Sequence, residues 1–121
     1  MANPVWDSLI AYVAFGDGTA NSTSFNIARS PGSITFIIPA LDGAGTTVKV
    51  QGLSPLDRTT WADVYCYDPG DGTMTLVGAF PEGQYTVVPA SALGGGTFRL
   101  VASANQTTAV NVPIIIDRLF T

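Results

Sequence analysis

Histidine is absent from this chain, and general acid–base work at neutral pH most often uses it. Every serine–histidine or cysteine–histidine nucleophilic arrangement is thereby excluded, and no enzymatic activity is expected. Charge is scarce as well: one lysine and four arginines stand against nine acids, and charged residues make up 12% of the chain, about half the usual share. With a net charge of −4 and no basic cluster, the electrostatic footprint for phosphate is missing, so nucleic-acid binding is not expected. The single cysteine, Cys66, excludes an internal disulfide, and its apolar neighbours read as core packing rather than a reactive thiol. No apolar run approaches the roughly 18 residues of a membrane span, and the first residues lack the Lys or Arg of a secretion signal.

What is present is apolar and turn-rich. Of 121 residues, 46% are hydrophobic, alongside 13 glycines and 8 prolines. This length makes one domain, able to bury about two thirds of its unfolded surface. The organising stretch is Val48 to Tyr67, VKVQGLSPLDRTTWADVYCY, which reads as a central hairpin. Val48 and Val50 point one way and Lys49 and Gln51 the other, the period of two of a half-buried strand. Similar alternation recurs along the chain. Phe25 and Ile27 share a face, then Ile34, Phe36 and Ile38 face inward with Thr35 and Ile37 outward. Further strands are expected at Thr73 to Gly78, at Tyr85 to Val88, and at Thr97 to Ala104 with Phe98, Leu100 and Ala102 inward. The last runs from Thr108 to Phe120 with Val110, Val112, Ile114 and Ile116 aligned. About eight short strands joined by Gly, Pro, Asp and Asn turns predict an all-β antiparallel sandwich, jelly-roll-like, over residues 19–121.

Residues 1–18 are expected to form an N-terminal arm. Asn3 and Pro4 resemble a helix start, with Trp6, Leu9, Ile10 and Val13 at helical spacing, while Ile10 to Phe15 equally suits an extended segment. The arm lies either over its own sandwich or on a neighbouring subunit. Pro113 cannot donate to a ladder, which places the last strand at a sheet edge or at a bulge, and an edge this apolar requires a cover.

Few residues carry chemistry. Eight of the nine acids are Asp, most beside Gly in turns, where a carboxylate bonds its own backbone. Asp68 and Asp71 in DPGDG only faintly suggest a calcium loop, since such a site needs six or more oxygens; no metal or cofactor is expected. Trp61, Asp63, Tyr65 and Tyr67 share one strand parity and Ala62, Val64 and Cys66 the other. Either Trp61, Tyr65 and Tyr67 form an exposed stacking platform for sugar rings, or a bulge near Asp63 lets Trp61 and Val64 both reach the core.

Three segments, VKVQG at Val48 to Gly52, WADV at Trp61 to Val64 and TFRLVASANQT at Thr97 to Thr107, give the chain a resemblance to the small β-sandwich decoration (cement, or auxiliary head) proteins of tailed bacteriophages. The resemblance implies a virion structural protein on the capsid exterior, bound to the major capsid protein, trimeric, and assembled in the host cytoplasm. No catalytic residues carry over. Under this reading the oligomer or capsid interface comprises Trp6, Leu9, Ile10, Tyr12, Val13, Phe15, Ile114, Ile115, Ile116 and Phe120, the arm and the last strand of different subunits closing each other's edges. Removal of residues 1–15 is then expected to abolish capsid binding and leave the sandwich folded. The alternative is a carbohydrate- or receptor-binding module of a tail or fibre.

Overall fold

A computed structural model describes residues 5–27, 32–89, 93 and 95–120, with the side chains of 5–8 and 118–120 outside that description. Expectations resting on Asn3, Pro4 and the side chains of Trp6 and Phe120 therefore lie outside the described residues. Eleven strands are present among the described residues: β1 Val5–Phe15, β2 Asn21–Ile27, β3 Ser33–Ile37, β4 Thr47–Leu53, β5 Trp61–Asp63, β6 Tyr65–Asp68, β7 Thr73–Leu76, β8 Phe80–Pro81, β9 Tyr85–Pro89, β10 Gly96–Ala102 and β11 Val110–Phe120. The count exceeds the expected eight because the arm is itself a strand, the segment after the central loop divides in two, and β8 is a short addition. No helix among the described residues is long and apolar enough to cross a membrane.

Two sheets face each other in an antiparallel sandwich. The first has the order β1-β11-β3-β9, and the second β2-β10-β4-β5 with β8 also on β4; β6 and β7 form a separate hairpin. From β1 to β4 the chain changes sheet at each connection, so sequence neighbours rarely pair. Alternation decides which side chains enter: β3 sends in Ile34 and Phe36, β4 Val48 and Val50, β10 Phe98, Leu100 and Ala102, and β11 Val112, Ile114 and Ile116. Phe25 of one sheet meets Phe36 of the other edge-on, ring centroids 6.2 Å apart, and Phe36 stacks on Phe80 at 5.3 Å. Such pairs add about 0.5–1.5 kcal/mol beyond the area they bury.

The first element is neither a helix nor a loose arm. Strand β1 pairs with β11 through eleven consecutive registers, from Val5↔Phe120 to Phe15↔Val110, and buries Val13 and Phe15 in its own sandwich. Strand β11 is accordingly interior, with β1 on one side and β3 on the other, rather than at an edge. Pro113 is accommodated without a bulge in the β1 ladder, where it faces Tyr12, while the β3 ladder is formed from Ile114 to Asp117. The proline thus stands where one of its two ladders ends, a position that tolerates a missing N–H.

One loop knot locks an end of the sandwich. Gln106 is fully buried; its Oε1 accepts from the Asp42 amide at 2.8 Å and its Nε2 donates to the Asp42 and Ala104 carbonyls at 3.0 and 3.1 Å. Asp42 Oδ2 accepts in return from the Thr107 and Thr108 amides at 2.8 and 2.9 Å, and Oδ1 from the Thr108 hydroxyl at 2.9 Å. These bonds hold the Asp42 carboxyl down at about 2.

Candidate interaction surfaces

The turn aspartates are occupied by their own turns. Asp17 accepts from the Thr19 hydroxyl and amide, Asp57 from the Thr59 and Thr60 amides and the Thr60 hydroxyl, and Asp71 from the Thr73 hydroxyl and amide. Asp68 Oδ1 accepts from the Gly70 amide at 2.8 Å. Among the described residues no group of three or more His, Cys, Asp or Glu is placed to hold a metal ion. The two outward sheet faces differ sharply in character.

The outward face of β4, β5 and β10 carries a polar chain of contacts. Lys49 Nζ lies 3.0 Å from Asp63 Oδ1, Gln51 Nε2 donates to Asp63 at 2.9 Å, and Arg99 Nε and Nη2 both donate to Gln51 Oε1 at 3.0 and 2.8 Å. The bonds from Gln51 and then Lys49 hold the Asp63 carboxyl below its usual range. The Arg99 guanidinium sits over the Trp61 ring, 4.4 Å from its centroid. Trp61 is half-buried there by register, because it opposes Leu53 while Asp63 opposes Gln51. The interruption expected near Asp63 is present and sends Val64 inward, but Trp61 does not follow it. It does not plug the core, and the Arg99 guanidinium lies over one face of its ring.

Strand continuity is lost at Val64. Its amide donates to the Val50 carbonyl at 3.2 Å and its carbonyl accepts from Val77 at 2.8 Å, while the Val50 amide donates to Val77 at 3.0 Å. Val64 thereby turns toward the core alone, and β6 departs to pair with β7. Tyr65 opposes Leu76 and Tyr67 opposes Met74, so Tyr65, Tyr67 and Met74 form an exposed patch on the hairpin, with Cys66 packed against the core on its other side. Trp61 belongs to a different sheet from these tyrosines.

The outward face of β1, β11, β3 and β9 is different in kind. Two rows cross the sheet by register. One is Ile10, Ile115, Thr35 and Val87. The other starts with Tyr12 opposite Pro113 and ends with Ile37 opposite Tyr85. Neither row holds a charge. Ile10 is 54% exposed, Tyr12 62%, Tyr85 74% and Val87 64%. A polar row closes one end, where Asp117 opposes Ser33 and accepts its hydroxyl at 3.3 Å.

Of the interface residues expected from sequence, this face gathers Ile10, Tyr12 and Ile115. Val13, Phe15, Ile114 and Ile116 point the other way and are buried in the chain's own core, so they are not available to another subunit. Leu9 shares their parity yet remains half exposed. Tyr85, Val87 and Ile37 complete the face. Only the outward parity of Ile37 was legible beforehand, since the partnership of β9 with β3 has no local sequence signal.

No protein-family model matches the chain, and no curated protein matches it in sequence. Among solved structures it is similar to the crystal structure of the SPBc2 prophage-derived protein YomS, with a TM-score of 0.56 and 12% identity, covering 97% of this chain and 96% of that one. The two share a fold along their whole length.

Proposed function

We propose that the protein is a structural subunit of a bacteriophage particle, a decoration protein seated on the outer surface of the assembled head and contacting its major capsid protein. The observation that carries this reading is the pair of adjacent charge-free rows, Ile10 to Val87 and Tyr12 to Tyr85, on the outer face of the β1-β11-β3-β9 sheet. A monomer seldom leaves a contiguous apolar patch of this kind uncovered, and such patches mark interaction sites. The shared fold with a prophage-derived protein and the resemblance of three segments to head decoration proteins support the same reading. The resemblance adds a homo-oligomer, a trimer in that family.

The physical role follows from linkage. A protein that binds only the assembled shell stabilises that state by mass action, with no chemistry of its own. Its turns suit the task, because their carboxylates are already bonded and do not depend on a metal or cofactor. The test uses particles produced without the chain. Heads are expected to assemble, to rupture at a lower temperature, and to take up added protein to a saturating copy number with recovery of heat resistance. Failure to find the chain on purified wild-type particles would sink the reading.

A second reading retains a specific observation. Tyr65, Tyr67 and Met74 are exposed together on the β6–β7 hairpin, which suits contact with a receptor or glycan even without Trp61. A change in tyrosine emission on titration with a glycan panel is its expected signature.

A further inference from the structure

A cavity of about 360 Å³ opens at one end of the β2-β10-β4-β5 sheet, where β4 runs out into loop 54–60 and β10 begins. That volume lies at the small end of the range for ligand pockets, roughly 300–1,000 Å³. Its apolar lining comes from Leu53, Pro55 and the ring of Phe98. Gly52 opposes Phe98 in the ladder, and a Cβ there would lie 3.6 Å from Cε1 of that ring, while one on Gly96 would lie 3.7 Å from Cε2 and Cζ. Neither glycine puts a side chain against the ring, so the space beside it stays open.

The loop that brings Arg58 to this cavity is held at several points. The Ser54 amide donates to the Thr60 carbonyl at 2.8 Å, the Arg58 amide donates to the Ser54 carbonyl at 3.0 Å, and Asp57 Oδ1 accepts the Thr59 and Thr60 amides at 3.0 Å each. Arg58 itself has a φ of 57°, in the left-handed region that turns ordinarily give to glycine or asparagine. Turn geometry does not call for an arginine there. What the residue adds is its guanidinium. Among the cations whose side chains are described, Lys49 is paired with Asp63, and Arg99 is bonded to Gln51 and laid over Trp61; Arg58 alone has no partner. A backbone outlier that presents an unpaired charge to a cavity is the kind of feature found at binding sites.

The polar side chains at the cavity have donors to offer. The Ser54 hydroxyl accepts the Leu56 amide at 3.3 Å and gives its own hydrogen to no described residue, whereas Thr97 spends its hydrogen on Asn26 Oδ1 at 2.6 Å. No carboxylate lines the space, and the neighbouring Asp57 has its oxygens turned to Thr59 and Thr60. We infer that this cavity binds an ionised carboxylate on a small apolar body, the carboxylate held by the Arg58 guanidinium and the Ser54 hydroxyl and the body packed on Phe98 and Leu53. A carboxylate is acceptor-only, matches a guanidinium in planar two-point contact, and carries the single negative charge that one arginine balances. Such a group comes from a free monocarboxylic acid or from the last residue of a polypeptide. The site is separate from the sheet face proposed to meet the phage head.

The test uses the isolated, full-length chain, so its outcome does not depend on particle binding. N-acetyl-L-phenylalanine is titrated into isotope-labelled protein and followed by amide chemical shifts. Saturable shifts are expected at Ser54, Gly95, Gly96 and Phe98. N-acetyl-L-phenylalaninamide has the same body without the charge and should bind roughly tenfold more weakly, as loss of a charge-assisted contact predicts. Arg58→Gln should weaken the acid by a similar factor and leave the amide unchanged. Arg58→Gly suits the left-handed backbone, so it is expected to keep the fold and its thermal transition while losing the preference for the acid; this separates the side chain from the turn. A short peptide ending in a free phenylalanine carboxylate distinguishes the two sources: tighter binding than the acid assigns the site to a chain end, and weaker binding assigns it to a free acid. Equal binding of acid and amide, shifts confined to residues away from the cavity, no saturable shift, or full affinity in Arg58→Gln would overturn the inference.

Discussion

Asp42 shows how one side chain can hold two loops that lie far apart in sequence. Its carboxylate takes amides and hydroxyls from Thr107 and Thr108, and these bonds require the charged form. The group titrates at about 2 in the fold against an ordinary 3.8, so it binds its proton less readily folded than unfolded. A depressed carboxyl contributes stability that is complete above about pH 4 and is lost as the pH falls through about 2. Asp57 is held at about 2 by Thr59 and Thr60 and shares that window. Denaturation midpoints are expected to be level from neutral pH to about 4 and to fall below it. Asp42→Asn should lower the plateau and flatten part of the acid slope, leaving the shares of Asp57 and of the other lowered carboxyls, Asp17, Asp63 and Asp71; an unchanged slope would contradict the role given to Asp42. Trp61 makes the opposite case. Partly buried beneath Arg99 but outside the core, it loses in Trp61→Ala a cation–π contact and partial burial, about 1–2 kcal/mol by urea unfolding, where a core tryptophan would cost about 3–5 kcal/mol.

At the scale of elements, the division of the segment from Trp61 to Tyr67 determines the surface on offer. Alternation alone runs through Val64 without a break, and the sequence offers at most a bulge near Asp63 within one strand. In the fold, Val64 and Val77 bond each other and Val50, an interaction between three separate segments that no local pattern encodes. Gly78 makes the close approach possible. A Cβ built there would lie 2.5 Å from Lys49 Cβ and 2.8 Å from Lys49 Cα, closer than real contacts allow. Gly78→Ala is therefore expected to cost about 1–3 kcal/mol as an overpacked site. It should also weaken the Lys49–Asp63 pair, which sits on the displaced strand. Chemical unfolding measures the first effect and lysine side-chain chemical shifts the second.

For the whole molecule, the decisive fact is that β1 and β11 close each other within one chain. Removal of residues 1–15 takes Val13 and Phe15 out of the core and uncovers the full length of β11 with its three consecutive isoleucines. The truncated chain is expected to lose cooperative unfolding and to aggregate, instead of remaining a folded sandwich that no longer binds capsids. A sharp thermal transition with a monomeric elution profile would contradict this. The outer face of the same sheet remains exposed, and it is there that the proposed contact is made. It does not depend on exchanging strands between copies.

Sequence by itself determined the class of fold and the side each residue takes. Period-two alternation is a local property of the pleat, so Ile34, Phe36, Val48, Val50, Phe98, Leu100, Val112 and Ile114 could be assigned inward from their neighbours alone. The turn aspartates were legible for the same reason, since each bonds amides two or three residues away. The tertiary structure alone decided strand order, which made β11 interior, put Gln106 beside Asp42, set Arg99 over Trp61, and joined Ile10 and Tyr12 to Val87 and Tyr85 across four strands. These are pairings between distant parts of the chain. Alternation is identical for every order of strands, and only the packing of two sheets selects one of them.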